Sequence, residues 1–487
     1  MRTSSVPGHR LRKLRFRTRG VLAVAALTAF SVAEPHVSRA ADPAPTPALS
    51  DHDRIKELEE TVKQLKKDER QTEVAVENQN AKPLAGWSLK DGFTINSPDN
   101  AYKLRIGGYT QFDSRFFIND KGNTATNQFL LRRARLDISG TVFKYFDFRI
   151  LPDFAQPASS NSVVLFDCYV DANYIPEAKL RFGKFKPPVG LERLQGAPYI
   201  GFIERAQPTN LVPNRDFGIQ LFGDLLDGAL GYQVAVINGA PDNSNPTFGD
   251  INDDKDFAGR LFALPFKNLS IDPLKGLGVG FAGTFGRESA NSGSPDLPSF
   301  KTFGQATYFQ YSGAVAATGT TPAKGPTIAN GHRDRWSPQV YYYWSSFGLL
   351  GEYVNSTQGV IRDNKTGRVG NYAWQVAGSW VITGEQASYR GVNPAQPFDP
   401  FTGKWGAWEA VARFSQLKID PDAFNGGFAS TATSANQDNE AVIGFNWYLN
   451  RNIKLSLDYA QSQFHGGGGK ANRPNEYAVV GQVQLLL

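Results

Sequence analysis

The chain has 487 residues, 41% hydrophobic and 12% aromatic, with 48 Gly, 29 Pro and one cysteine, Cys168. That length supports a core without disulfide or metal staples, and one Cys with five scattered His offers no CxxC or HExxH spacing, so metal-thiolate and paired-cysteine chemistry are excluded and no cofactor is expected. A mean hydropathy of -0.36 and the lack of any run of about 18 apolar residues argue against a helical membrane protein, a filter that a β-barrel passes unnoticed.

The formal charge of +6 suggests a nucleic-acid partner, but its distribution does not. Residues 1 to 41 carry eight Lys or Arg against Glu34 alone, and the rest of the chain holds 44 basic and 45 acidic residues. No nucleic-acid partner is therefore expected. The basic start runs into an apolar stretch from Val21 to Ala33 and then Ser38-Arg39-Ala40, a small-x-small cleavage signal. Residues 1–40 accordingly read as a secretory signal peptide, too short in its apolar part to span a bilayer.

Residues 41–50 form a Pro-rich spacer that cannot be helical. Over 51–80, Ile55, Leu58, Val62, Leu65, Glu69, Thr72 and Val76 recur at alternating spacings of three and four, an a/d heptad register. About three heptads with polar residues on the seam are marginal alone. A short coiled coil that pairs with partner helices, and contacts something in the periplasm, is expected here; a solvated amphipathic helix is the alternative.

From about residue 90 to 487 the period changes to two, the repeat of strands. Leu104, Ile106 and Phe112 share one face, with Lys103, Arg105, Gln111, Asp113 and Arg115 on the other. Ala134, Leu136 and Ile138 likewise alternate with Arg133, Arg135, Asp137 and Ser139. Sixteen such segments begin near 102, 128, 144, 162, 178, 214, 228, 255, 277, 333, 347, 369, 405, 438, 452 and 474. An even number of alternating strands separated by alternately short and long links predicts an all-β, 16-stranded antiparallel transmembrane β-barrel preceded by a short helix. The link at 383 to 404 breaks this rule, falling on the short-link side yet being long. Tyr372, Trp374, Val376, Gly378 and Trp380 form a face with aromatic ends, roughly 20 Å tall for eight residues at about 3.3 Å tilted about 40°. That approaches the apolar band and aromatic girdles of a barrel in lipid, which a soluble sandwich lacks.

Phe129-Leu-Leu-Arg-Arg-Ala-Arg-Leu-Asp-Ile-Ser-Gly140 resembles a strand of the phosphate-selective porin O and P family. Arg181-Phe-Gly-Lys-Phe-Lys-Pro-Pro-Val-Gly-Leu-Glu192, Phe202-Ile-Glu-Arg-Ala206, Gly406-Ala-Trp-Glu-Ala-Val-Ala-Arg413 and Phe445-Asn-Trp-Tyr-Leu-Asn450 resemble later segments of that family in the same order. The resemblance implies a homotrimeric porin in the outer membrane of a Gram-negative bacterium, with its helix in the periplasm and its third and fifth loops folded into the lumen.

On the expected lumen face lie Arg105, Arg115, Arg133, Arg135, Arg149, Lys179, Arg181 and Arg260, a ladder of guanidinium forks suited to passing anions between weak sites. Loop three would add Lys184, Lys186, Arg193 and Arg205, and loop five Lys301 and Lys324, with Arg333 and Arg335 at the start of strand ten. By family position, Arg193 is the candidate constriction cation. The expected function is passive diffusion of small inorganic anions, phosphate and polyphosphate included. Two alternatives stand beside it. Asp113, Asp137, Asp147, Asp153, Asp167, Asp171 and Asp256 share the inward parity, so the bases could be paired in a general or cation-preferring porin. The barrel could also anchor an envelope tether built on the 51–80 helix. No GxSxG or HExxH motif supports a barrel-borne enzyme.

Overall fold

The computed structural model describes residues 51–80, 84–88, 92–118, 125–155, 163–246, 250, 252–320 and 322–487. The signal-peptide and spacer segments lie outside them. Asp51–Asn80 forms one helix of 30 residues, as its heptad spacing dictates. Its apolar stripe is uncovered, Ile55, Leu58, Val62 and Leu65 being 48 to 63% exposed.

The rest is a closed antiparallel sheet. Its first eight barrel strands are Lys103–Phe117, Gln128–Val142, Phe146–Asp153, Val164–Ala172, Lys179–Phe185, Asp216–Leu225, Leu230–Ile237 and Asp256–Ala263. The other eight are Leu277–Ser289, Ile328–Trp344, Phe347–Arg362, Lys365–Val381, Ala407–Lys418, Ala435–Tyr448, Ile453–Gly468 and Glu476–Leu486. Every one starts within a few residues of its expected position. Each pairs with its neighbour in sequence, and the sixteenth closes on the first through Ala478 opposite Phe117 and Leu486 opposite Tyr109. Below that seam the first strand runs on past its closing partner. There a hairpin of Leu84–Ser88 and Gly92–Asn96 takes its free edge, Phe93 facing Ile106 and Asn96 facing Lys103.

Burial is inverted relative to a soluble protein. Gln111, Asp113 and Arg115 are at most 1% exposed whereas Phe112 is 46% exposed, because alternate residues face a filled interior and the outside of the barrel. Rings cluster on the outer surface, with Trp408 and Trp447 stacked at 4.9 Å and Phe347 beside Trp380 at 6.2 Å.

The interior is filled by loops. Loop three, residues 186–215, and loop five, 290–327, pack within the barrel around Val189, Leu211, Phe300, Tyr308, Phe309 and wall residues such as Val354 and Val369. In loop five Ser299–Lys301 and Thr307–Gln310 form a small ribbon. The anomalous link after Val381 also turns inward. The Tyr389 hydroxyl donates to the Leu191 carbonyl at 2.5 Å, and Gln195 Nε2 donates to the Tyr389 carbonyl at 2.7 Å, so this segment braces loop three from the rim that carries the short links. Its length, at odds with the alternation of short and long links, is the length needed to reach inside.

Candidate functional site

Loop three owes its path to three glutamates. Gly190, at φ 81°, turns the chain into the four-residue helix Leu191–Leu194; a Cβ there would meet Val212 Cγ2 at 2.9 Å. The freed amides of Leu191 and Glu192 donate to the Glu352 carboxylate on the opposite wall, the second at 3.2 Å. Glu192 itself accepts the Ala206 amide at 2.8 Å, closing the loop on itself. Glu204 then reaches the near wall. It is 3% exposed and takes Arg115 at 2.7 Å, Arg132 at 2.5 and 3.1 Å, and Arg133 at 3.6 Å. Burial by itself would raise its carboxyl, but those three guanidiniums outweigh it and hold the group well below the ordinary glutamate range.

Arg132 is on the inner side because of a β-bulge. Gln111 faces Arg133 but Phe112 faces Leu131, so one extra residue sits in the second strand and two consecutive arginines turn inward. Period-two alternation hides such an insertion.

Between loop three and the wall of strands one to four lies a cavity of about 260 Å³. Ten cationic side chains line it, namely Arg105, Arg132, Arg133, Arg135, Arg149, Lys186, Arg193, Arg205, Arg215 and Lys301, against three carboxylates, Asp137, Asp167 and Glu204. Eight of these cations are among those expected from sequence; Arg132 and Arg215 are additions.

The cations fall into two groups. Those on strands are paired: Arg135 with Asp153 at 2.7 Å, Arg149 with Asp137 at 2.9 Å, and Arg105 with Asp137 at 3.5 Å. Arg181 pairs with Asp171 at 2.7 Å and Arg215, beside the start of strand six, with Asp167 at 2.5 Å. Those of loop three bond to oxygens without charge. Lys186 Nζ donates to the carbonyls of Leu194 and Gln195 at 3.1 and 2.8 Å. Arg205 donates to those of Glu192 and Gln195 at 3.1 and 2.7 Å. Arg193 donates to the Thr209 carbonyl and to Asn243 Oδ1 at 2.8 Å, and its buried Nε has no partner. Burial together with Arg205 and Arg215 pushes the Arg193 guanidinium down, and burial with Arg215 does the same to the Lys186 ammonium.

Eight expected residues lie outside this cavity, among them Lys179 at the start of strand five, its ammonium 6.0 Å from the centre of the Phe222 ring. Arg115 sits beside it, buried between Asp113 and Glu204. Arg181 and Arg260 belong to the lumen wall further round. Arg333, bound by Glu288 and Asp296, and Arg335, bound by Asp242 and Asp256, clamp loops four (238–255) and five to the wall. Lys324 lies on an exposed turn of loop five, bridged to Val315. Lys184 is also outside: it ends strand five on the outward parity, donating to the carbonyls of Leu165, at 2.8 Å, and Pro246. Sequence reasoning missed Arg413, which binds Glu440 at 3.0 Å and the Glu204 carbonyl at 3.0 Å.

A closed barrel of sixteen antiparallel strands, apolar outside and ionic inside, with a long loop folded into its lumen, is a porin: a channel rather than an enzyme. The sequence profile of the family Phosphate-selective porin O and P matches residues 104–264 and 299–485, and the chain belongs to that family. It is an outer-membrane porin. Porin O of Pseudomonas aeruginosa is 25% identical over 409 residues, covering 77% of this chain and 86% of the relative. Among solved structures, the outer membrane channel DcaP of Acinetobacter baumannii superimposes with a TM-score of 0.51 at 11% identity, covering 83% of this chain and all of its own. A trimer form of OmpT from Vibrio cholerae gives a TM-score of 0.48 at 12% identity over 80% of this chain and 100% of that one.

Proposed function

We propose that this porin conducts small inorganic anions, phosphate among them, past a constriction formed by loops three and five. The observation that carries the reading is the set Lys186, Arg193 and Arg205: three cations on one loop, facing one cavity, whose hydrogen bonds go to carbonyls and an asparagine rather than to carboxylates. Paired strand arginines contribute little net field, whereas cations that keep their charge uncompensated in a water-poor cleft attract anions strongly. Hydrogen bonds to carbonyls orient these groups and leave other donors for a passing ion, and several modest sites favour transit over trapping. Lys301 of loop five completes the ring, its ribbon held by Asn210 of loop three at 3.1 Å.

The experiment is the zero-current potential of the refolded protein in a planar bilayer across a potassium chloride gradient. Chloride preference is the expected sign. Cation preference would mean that the inward carboxylates dominate, and would return the channel to the class of general porins.

For the helix we propose a coiled coil between copies of a homotrimer on the periplasmic side. What supports it is the exposed heptad stripe of Ile55, Leu58, Val62 and Leu65. The membrane lipid is the partner of the barrel's outer face, and the signal peptide directs export.

A further inference from the structure

We propose that the lumen holds a second recognition site, a recess of one guanidinium and three rings at Arg260, Phe262, Tyr341 and Tyr389, that takes planar aromatic carboxylates. This rests on the reading of the channel as anion-preferring and extends its substrates from inorganic ions to aryl acids.

Arg260 and Phe262 share the inward parity of strand eight, Gln339 and Tyr341 that of strand ten, and Tyr389 arrives on the inturned link after Val381. The rings form a series: Phe262 and Tyr341 lie 5.1 Å apart at 34°, and Tyr341 and Tyr389 5.3 Å apart and nearly parallel at 21°. Two strand glycines make room for them: a Cβ on Gly278 would stand 2.7 Å from both Phe262 and Tyr341, and one on Gly280 2.4 Å from Phe262. All four side chains are half-buried, so part of the surface of each is left accessible.

The guanidinium distinguishes this cluster from ordinary aromatic packing. Arg260 lies 4.5 Å from the centre of the Phe262 ring and donates Nε to Gln339 Oε1 at 2.9 Å. Among the described residues no carboxylate stands within 4.0 Å of it. Arg181 provides the contrast. It stacks on Tyr169 at 3.8 Å in the same way, but both of its donor sites are taken by Asp171 at 2.7 Å, so it has no fork to offer. At Arg260 the terminal nitrogens remain for a carboxylate while the adjacent ring faces accept an aromatic body in offset stacking. An aliphatic acid satisfies only the first half of that pair.

The test uses the intact channel in a planar bilayer carrying chloride current, with sodium benzoate or sodium acetate added to one side. The two probes have the same charge and differ by the ring. Benzoate should reach half-block at about a five-fold lower concentration than acetate, the factor expected of one or two aromatic contacts. Phe262→Leu and Arg260→Gln should each bring that ratio toward one. Equal block by both acids in the unaltered channel, which requires no variant to fold, would overturn the proposal, as would a ratio that survives both substitutions. The zero-current potential on the same membranes separates the failures. Chloride preference without benzoate discrimination removes the recess alone, whereas cation preference removes the reading on which it rests and the recess with it.

Discussion

Glu204 and Arg132 form a two-pronged ion pair, 2.5 Å from Nε to Oε1 and 3.1 Å from Nη2 to Oε2, joining the middle of loop three to a bulge in the second strand. Because Arg115 and Arg133 converge on the same carboxylate, this single acid ties loop three to the first two strands. Breaking a buried pair of this kind typically costs about 3–5 kcal/mol. In Glu204→Gln the three guanidiniums lose their shared counter-charge, so the channel should become more anion-selective and loop three looser. Zero-current potentials and the rate at which protease clips 186–215 in folded protein check both halves; no change in either would show that Glu204 is not the tie.

Acid should leave that tie intact for longer than a free glutamate would allow. A carboxyl depressed in the folded state contributes stability that is present above its unfolded value, near 4.5, and is lost only as pH falls through the lower folded value. Loop three should therefore stay protease-resistant at pH 4 and loosen at more acidic pH. Loosening already between pH 5 and 4 would contradict the strength assigned to the arginine cluster.

The alkaline side belongs to Lys186. Its ammonium is pushed below the ordinary lysine value of 10.5 by burial and by Arg215 and Arg205, so it loses its charge at a lower pH than a free lysine. Anion preference should decline as pH rises toward that lowered value, and Lys186→Gln should abolish the pH dependence while setting selectivity at the low, alkaline level. A decline that persists in the variant would assign the titration to another group.

Paired and unpaired cations should differ in effect. Arg193→Ala, which removes a group without a carboxylate partner, should lower the chloride-to-potassium permeability ratio several-fold. Arg181→Ala, which also frees Asp171, should shift it less through the constriction, because the charge it removes is already offset locally. Reversal potentials of the two variants under one gradient decide the matter. Equal effects would mean that pairing does not govern selectivity.

How much of this was legible in the sequence follows from the range of the forces involved. The strands were, because inside-outside alternation is written in consecutive residues; Phe112 and Asp113 already point opposite ways on paper. The bulge at Arg132 was not, since one inserted residue leaves the alternation on either side intact. The anchoring roles of Glu192 and Glu204 were not, because a loop's partners lie far along the chain: Glu352 for the first turn, Asp458 for the Ile203 amide at 2.8 Å. Lys184 belongs to strand five rather than to the loop, and the period of two gives it the parity of Phe182, opposite to that of Arg181. Around the cavity the strand arginines are paired with carboxylates, whereas Lys186, Arg193 and Arg205 of loop three bond to uncharged oxygens.

The helix carries its own prediction. Leu58→Asp with Leu65→Asp places charge on the heptad stripe without touching the barrel. Single-channel conductance should be unchanged, and the oligomer in mild detergent should dissociate at lower temperature, as judged by light scattering. An oligomer of unaltered thermal stability would remove the helix from assembly.

The hairpin at the barrel seam bears on how the chain reaches its final form. Closing the cylinder brings Tyr109 to Leu486, the most sequence-distant of its neighbouring-strand contacts, and loop-closure entropy makes that union late. Until then the first strand presents an open edge, the kind of edge that recruits other chains. Phe93 and Ile106 are only a short way apart along the chain, so the hairpin can dock early and guard one end of that edge while the remaining strands assemble. A segment outside the cylinder thus covers part of an edge that would otherwise stay open to other chains until the barrel closes.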